Sequence, residues 1–312
     1  MLVERENLVA EFTAALDVAL GGRGRLVFLG GEAGVGKSSL VRAFAETVAA
    51  PAEVRVGSVD NLTTADALAA FRDAVPEIVP RLEAGGDRIR LFRALRSALI
   101  QSPGLLILED LHWADEATLD ALRYLARRLD GVPVLIIATY RSDEARARHP
   151  LTLLMGDLAT VPSVRRLDVP PLTVDGVALL AERAGVLVDA SALHDRTDGN
   201  SFFVTELLAV GGEDLPATVS DAVLARVARL SSAGQDAAAA AATLGTAADA
   251  GLLCAVGGCE VDAVDECVEA GILVAMGGEF GYRHELARDA VRRSLSVARR
   301  SLPNRRFSDI AR

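Results

Sequence analysis

A chain of 312 residues can bury a sizeable core and, on length alone, holds roughly two domains. Hydrophobic residues at 51% and charged ones at 24% are globular proportions, and a formal charge of −10 argues against the whole chain coating nucleic acid. Aromatics are only 4%, so the core is expected to be mainly Ala, Leu and Val; Cys254, Cys259 and Cys267 fit no zinc spacing and no disulfide framework, and read as small buried hydrophobes.

The opening "MLVERENLVAEF" carries charges at Glu4, Arg5 and Glu6 and no long apolar run. That pattern excludes a signal peptide or membrane anchor there, and a cytoplasmic location is the expectation. "RLVFL" (25–29) reads as a short buried strand, and "SLVRAFAETVAA" from Ser38 as an amphipathic helix. Between them "GGEAGVGKSS" (30–39) fits G-x-x-x-x-G-K-[ST] at Gly31, Gly36, Lys37 and Ser38. Glycines at 31, 34 and 36 open backbone angles closed to other residues, so that successive N–H groups can surround phosphate oxygens at a helix N-terminus. The candidate binding run is Gly31, Ala33, Gly34, Val35, Gly36, Lys37, Ser38 and Ser39. Lys37 would reach the β- and γ-phosphates, and the Ser38 hydroxyl would join a Mg²⁺ shell.

"AEVRVGSVD" (52–60) reads as a second strand, followed by two helical stretches through Gln101. "GLLILEDLHWAD" (104–115) is an apolar strand ending in acids, expected beside the loop-bearing strand. Glu109 is assigned to the metal and Asp110 to the attacking water, with the reverse assignment open. Asp115 reads as the cap of the helix "EATLDALRYLARRL", and His112 and Trp113 could pack over the loop. "VPVLIIATYR" (132–141) is another buried strand, closed by Thr139 and Arg141, where an arginine can contact the γ-phosphate. "SVRRLDV" (163–169) is a shorter one. Strands alternating with helices predict an α/β fold, a P-loop parallel sheet with helices on both faces.

At Pro170 and Pro171 the grammar changes to helices, including one stretch with six alanines at 237–242 that permits close packing. "GILVAM" (271–276) and "EFGYR" (279–283), split by Gly277 and Gly278, read as a small hairpin. Helices, a hairpin and a further helix suggest a winged-helix module. The expected domains are a nucleotide-binding domain over 1–169, a helical lid over 170–214 and a winged helix over 215–312. Nine arginines between Arg283 and Arg312 read as a solvated helix face rather than a DNA-binding arm, so direct DNA binding is not expected.

"LVERE", "GEAGVGKSSL", "LEDLHWAD", "ATYRSDE", "VPPLT", "TDGNSFFVTELL", "LPATVSDAVLARVARLS" and "YRHELARDAV" occur in this order. Together they resemble the ATPase module of large ATP-binding regulators of the LuxR type. Those regulators belong to the STAND class of P-loop ATPases, with the maltose regulator and the NOD-like receptors. The resemblance implies that the segment of Val3 and Arg5 lies against adenine, although Glu4 stands where a glycine is common. It also implies that Pro171 packs on the base and that His284 touches the β-phosphate of ADP. The implied activity is a transcription-regulating switch that hydrolyses ATP slowly, closed with ADP and self-associating with ATP. The alternative is an ordinary P-loop ATPase or phosphotransferase acting on a partner. A sensor and a DNA-binding domain are expected in a longer parent protein rather than in these residues.

Overall fold

A computed structural model of the chain describes residues 2–59, 67–83, 87–144, 149–212, 214–245 and 247–296. The arginine-rich stretch beyond Ser296 lies outside the described residues. The chain divides into two compact units, Met1–Pro170 and Pro171–Arg312.

The first unit is built on a five-stranded parallel sheet of β1 (Arg25–Gly30), β2 (Glu53–Ser58), β3 (Gly104–Glu109), β4 (Val134–Thr139) and β5 (Val164–Asp168). Its order is β2-β3-β4-β1-β5. The helices are α1 (Glu6–Leu20), α2 (Lys37–Ala45), α3 (Ala69–Ala74), α4 (Val79–Glu83), α5 (Arg88–Gln101), α6 (Glu116–Ala126) and α7 (Pro150–Asp157). Alternate residues of each central strand enter opposite cores, as the two-residue period requires. Leu26, Phe28, Leu106, Leu108 and Ile136 pack with Phe71, Leu95 and Leu122 from α3, α5 and α6. Val27, Leu29, Ile107 and Ile137 pack with Phe12 of α1 and Leu40 and Phe44 of α2. The few aromatics are concentrated inside, with Phe12, Phe28, Phe44 and Phe71 fully buried in a core that is otherwise mainly Ala, Leu and Val.

The strand of acids does not lie beside the loop strand. β4 stands between β3 and β1, and it is buried along its whole length, the place that its run of Val, Leu and Ile suits best. Strand β3 also stops at Glu109, since Asp110 turns to φ 58° and a tight turn follows over Leu111–Trp113. α1 was not anticipated, yet Leu8, Phe12, Leu16 and Ala19 recur at helical spacing, and α7 begins on Pro150 at its first position.

The second unit holds α8 (Val174–Ala184), α9 (Ala190–Thr197), α10 (Ser201–Ala209), α11 (Ala217–Val227), α12 (Ser232–Leu244), α13 (Ala250–Gly257) and α14 (Val261–Glu269). The antiparallel hairpin β6 (Leu273–Met276) and β7 (Glu279–Tyr282) and then α15 (Glu285–Ser294) follow. Gly277 and Gly278 both take positive φ, 63° and 98°, the backbone that a two-residue hairpin turn demands. The alanine-rich stretch is two helices: Ser231 breaks the run and caps α12 by accepting from Gly234 N–H. Ala237, Ala238, Ala240, Ala241 and Ala242 are all buried. Among the described residues no helix is long and apolar enough to cross a membrane.

Candidate nucleotide-binding site

The turn from β1 into α2 has the geometry that its glycines predict. Gly31, Gly34 and Gly36 take φ of 147°, 81° and 99°, values that a side chain resists. A Cβ on Gly31 would come within 2.9 Å of Val35 Cγ1 and 3.2 Å of the Val169 carbonyl. No side chain caps the N-terminus of α2. Its first N–H groups have no intrahelical acceptor, and the helix dipole adds positive character there. This end of the helix therefore suits an anion, and polyphosphate is the anion that the motif accommodates. Within the run Gly31 and Val35 are buried, Ala33, Gly36 and Ser38 half-buried, and Gly34 and Ser39 exposed.

Lys37 is buried under the loop, its Nζ donating to the carbonyls of Gly31 at 2.7 Å and Glu32 at 2.8 Å. Burial lowers its pKa to about 8; Asp143, Asp110 and Glu144 pull it back up, and Arg141 pushes it further down. One N–H of the ammonium remains beyond those two bonds, and a phosphate would compete with the carbonyls for all three.

Glu109 is buried, with Oε1 lacking a hydrogen-bond partner and Oε2 3.7 Å from Arg42 of α2. Asp110 anchors its backbone by donating N–H to Thr139 Oγ1 of β4 at 3.1 Å. Its carboxyl pKa is raised, first by burial, while Arg141 and Lys37 oppose the shift. Arg141 thus shares one electrostatic neighbourhood with Lys37 and Asp110, because β4 lies between the loop strand and the acid strand. Its NH1 donates to Glu144 at 2.6 Å, and its guanidinium stands 5.0 Å over the Trp113 ring. His112 is buried, its ring 4.5 Å from that of Trp113 and tilted 44° to it, with Nε2 3.4 Å from Glu144 and Nδ1 3.9 Å from Asp110. Glu144, His112 and Trp113 sit in the strings "ATYRSDE" and "LEDLHWAD", but no local spacing marks Glu144 as the partner of Arg141 and His112. Asp115 does cap α6, accepting from Ala117 and Thr118 N–H, and also accepts from Leu68 N–H.

Ahead of α1, Val3 and Arg5 are buried. The Arg5 guanidinium donates to the carbonyls of Glu4 at 3.1 Å, Val35 at 3.4 Å and Pro170 at 2.8 Å, bracing the phosphate loop. Glu4 takes φ 57°, which explains why glycine suits that position. Pro171 and His284 belong to the second unit. There His284 precedes α15 and meets the Phe203 ring edge-on at 5.1 Å.

The loop, the uncapped helix and the paired acids describe one known design. Residues 1–137 match an AAA ATPase domain. The matched span carries the phosphate loop, Glu109 and Asp110, and stops just short of Arg141. Among solved structures, the Walker-type ATPase PABY2304 of Pyrococcus abyssi superposes with a TM-score of 0.64 at 15% identity, over 93% of this chain and 96% of that one. The Orc1 protein of Aeropyrum pernix, solved in complex with DNA, gives a TM-score of 0.50 at 18% identity, over 96% and 94%. At such identities these likenesses establish the P-loop ATPase fold alone. An uncharacterized protein of Rhizobium meliloti (strain 1021) is 27% identical over 210 residues, covering 50% of this chain. The chain spans only 20% of that relative's length.

An AAA ATPase domain implies nucleotide binding together with Mg²⁺. Among the described residues no group of three or more His, Cys, Asp or Glu could hold a metal; a cation that comes with the nucleotide takes oxygen ligands from its phosphates as well. Ser38, half-buried at the second position of α2, and Glu109, with its unpartnered oxygen, fit that donor set.

Proposed function

We propose that the chain is an ATP-driven signalling switch of the STAND type, the ATPase module of a LuxR-type transcriptional regulator, hydrolysing ATP slowly. The observation that carries this reading is the electrostatic set built around the uncapped helix: Lys37, Asp110 and Arg141 act on one another across β1, β3 and β4. Such a set distinguishes a nucleotide with a γ-phosphate from one without it.

Lys37 and the α2 N–H groups bind the β- and γ-phosphates. Ser38 and Glu109 hold Mg²⁺, which when bound neutralises charge on those phosphates. Asp110, made more basic by burial, accepts the proton of the attacking water. Arg141 carries charge toward the γ-phosphate once Glu144 releases it. Val3 lies near adenine, and Arg5 holds the loop in place. Downstream of β5, in the residues read as a helical lid (170–214) and a winged helix (215–312), Pro171 and His284 respond to the bound nucleotide and favour ADP. The ATP form self-associates, and the signal-sensing and DNA-binding parts belong to a longer protein in the cytoplasm.

The test is the nucleotide that co-purifies, read with turnover and particle size under ADP and ATP. A switch should carry ADP, turn over well below one ATP per second, against ~1 to 100 per second for phosphotransferases, and enlarge only with ATP. Asp110→Asn should cut turnover by about 100-fold or more while ATP affinity stays within a few-fold. Rapid turnover with no change in size would replace the switch with an ordinary ATPase.

A further inference from the structure

By sequence the three cysteines are small buried hydrophobes, but the second unit brings two of them to one helix cap. Helix α13 ends at Gly257, and Gly258 takes φ 69° and ψ 34°, a left-handed cap. The N–H groups of Gly258 and Cys259 both donate to the Cys254 carbonyl, at 2.7 and 3.2 Å. The second bond closes the Schellman geometry, in which the side chain just past the cap folds back on the last turn of the helix. Here those two side chains are Cys259 and Cys254, which the cap brings to the same turn of the chain. Both residues are half-buried free thiols, so a small reagent has access to them. Gly257 keeps the approach clear, since a Cβ there would stand 3.1 Å from Cys259 Sγ. Cys267 on α14 differs: it is fully buried and its thiol donates to the Gly234 carbonyl at 3.1 Å.

We propose that Cys254 and Cys259 are a redox-active dithiol, a modification site at which low-molecular-weight disulfides close an intramolecular bridge across the cap of α13. In the first step the Cys254 thiolate attacks one sulfur of the reagent disulfide. The reagent S–S bond breaks, and one half leaves as a thiolate that takes a proton from water. Cys259 then gives its proton to solvent and attacks the Cys254 sulfur, expelling the second half. Two protein thiols are oxidised to one disulfide, and one reagent disulfide is reduced to two thiols. Burial, followed by the closeness of Cys254, pushes the Cys259 thiol up to about 11. The closing step therefore accelerates with rising pH, about tenfold per unit below that value. Burial holds Cys267 protonated, with its thiol pushed up to about 12, and keeps it out of the exchange.

The test incubates the full chain with oxidised glutathione at pH 9, quenches with acid, alkylates under denaturing conditions and weighs the peptides. Of three alkylatable thiols, two should be lost, and the peptide bearing Cys254 and Cys259 should be lighter by two hydrogens. Dithiothreitol should restore both. Cys259→Ser, with its folding checked by a thermal melt, should instead keep glutathione on Cys254. A lasting glutathione adduct on the unsubstituted chain, a bridge to Cys267, a bridge between chains, or no loss of thiol would each overturn the proposal. None of these readouts depends on nucleotide binding.

Discussion

Lys37 shows how burial tunes a single group. A lysine held at about 8 in the folded chain, against its ordinary 10.5, binds fewer protons than the unfolded chain between those values. Its contribution to stability therefore rises with pH through that window and is flat below about 8. Nucleotide affinity runs the other way, because phosphate needs the ammonium. The ATP dissociation constant should be flat below pH 8 and weaken by up to tenfold per unit above it. Lys37→Ala should lose about 100-fold in affinity and the pH slope with it; titration calorimetry from pH 7 to 10 decides this, and a variant that keeps wild-type affinity removes the loop from the account. Arg5 has a different task. Arg5→Ala leaves the Val35 and Pro170 carbonyls without their charged donor, at a cost of about 2 kcal/mol. A melting point lower by about 4 to 8 °C is expected by calorimetry, and an unchanged one would show the brace to be idle. Sequence showed that the glycines and Lys37 matter because their spacing is local. Arg5's bond to Pro170 spans 165 positions, and no local pattern encodes it.

Elements were readable where one period or one cap governs them. β3 and β4 announce themselves as unbroken apolar runs, and Asp115 stands directly before the pattern of α6. α1 followed the same rule but sits in a segment whose charges drew attention to targeting rather than to its apolar stripe. The strand order is another matter: sequence places acids at the end of β3, and only pairing inserts β4 between them and the loop. That insertion carries Thr139 and Arg141 into the site, which is why Arg141 acts on both Lys37 and Asp110. Asp115 joins elements as well as capping one, since it receives N–H groups from α6 and from Leu68 at the start of α3. Asp115→Ala should cost about 1 to 2 kcal/mol, with hydrogen exchange rising first at Ala117, Thr118 and Leu68. Protection at Leu68 equal to that of the unsubstituted chain would confine the aspartate to its own helix.

At the scale of the whole molecule, the proposed switch needs the second unit to respond to what the first one binds. Coupling between such parts amounts to about 1 to 3 kcal/mol, or roughly 5- to 150-fold in affinity. Moving the equilibrium from nearly all closed to nearly all open takes about 5.5 kcal/mol, so one residue supplies a share and never the whole. His284 is the residue to test, and its packing against Phe203 makes its structural cost measurable beforehand. His284→Ala should release ADP about tenfold faster while the melt of the nucleotide-free chain falls by only a few degrees. The variant should also enlarge with ATP at lower nucleotide concentrations, as light scattering would report. Equal ADP release by variant and parent would break the link between the second unit and the nucleotide, leaving the unit with the phosphate loop as a binding module that acts alone.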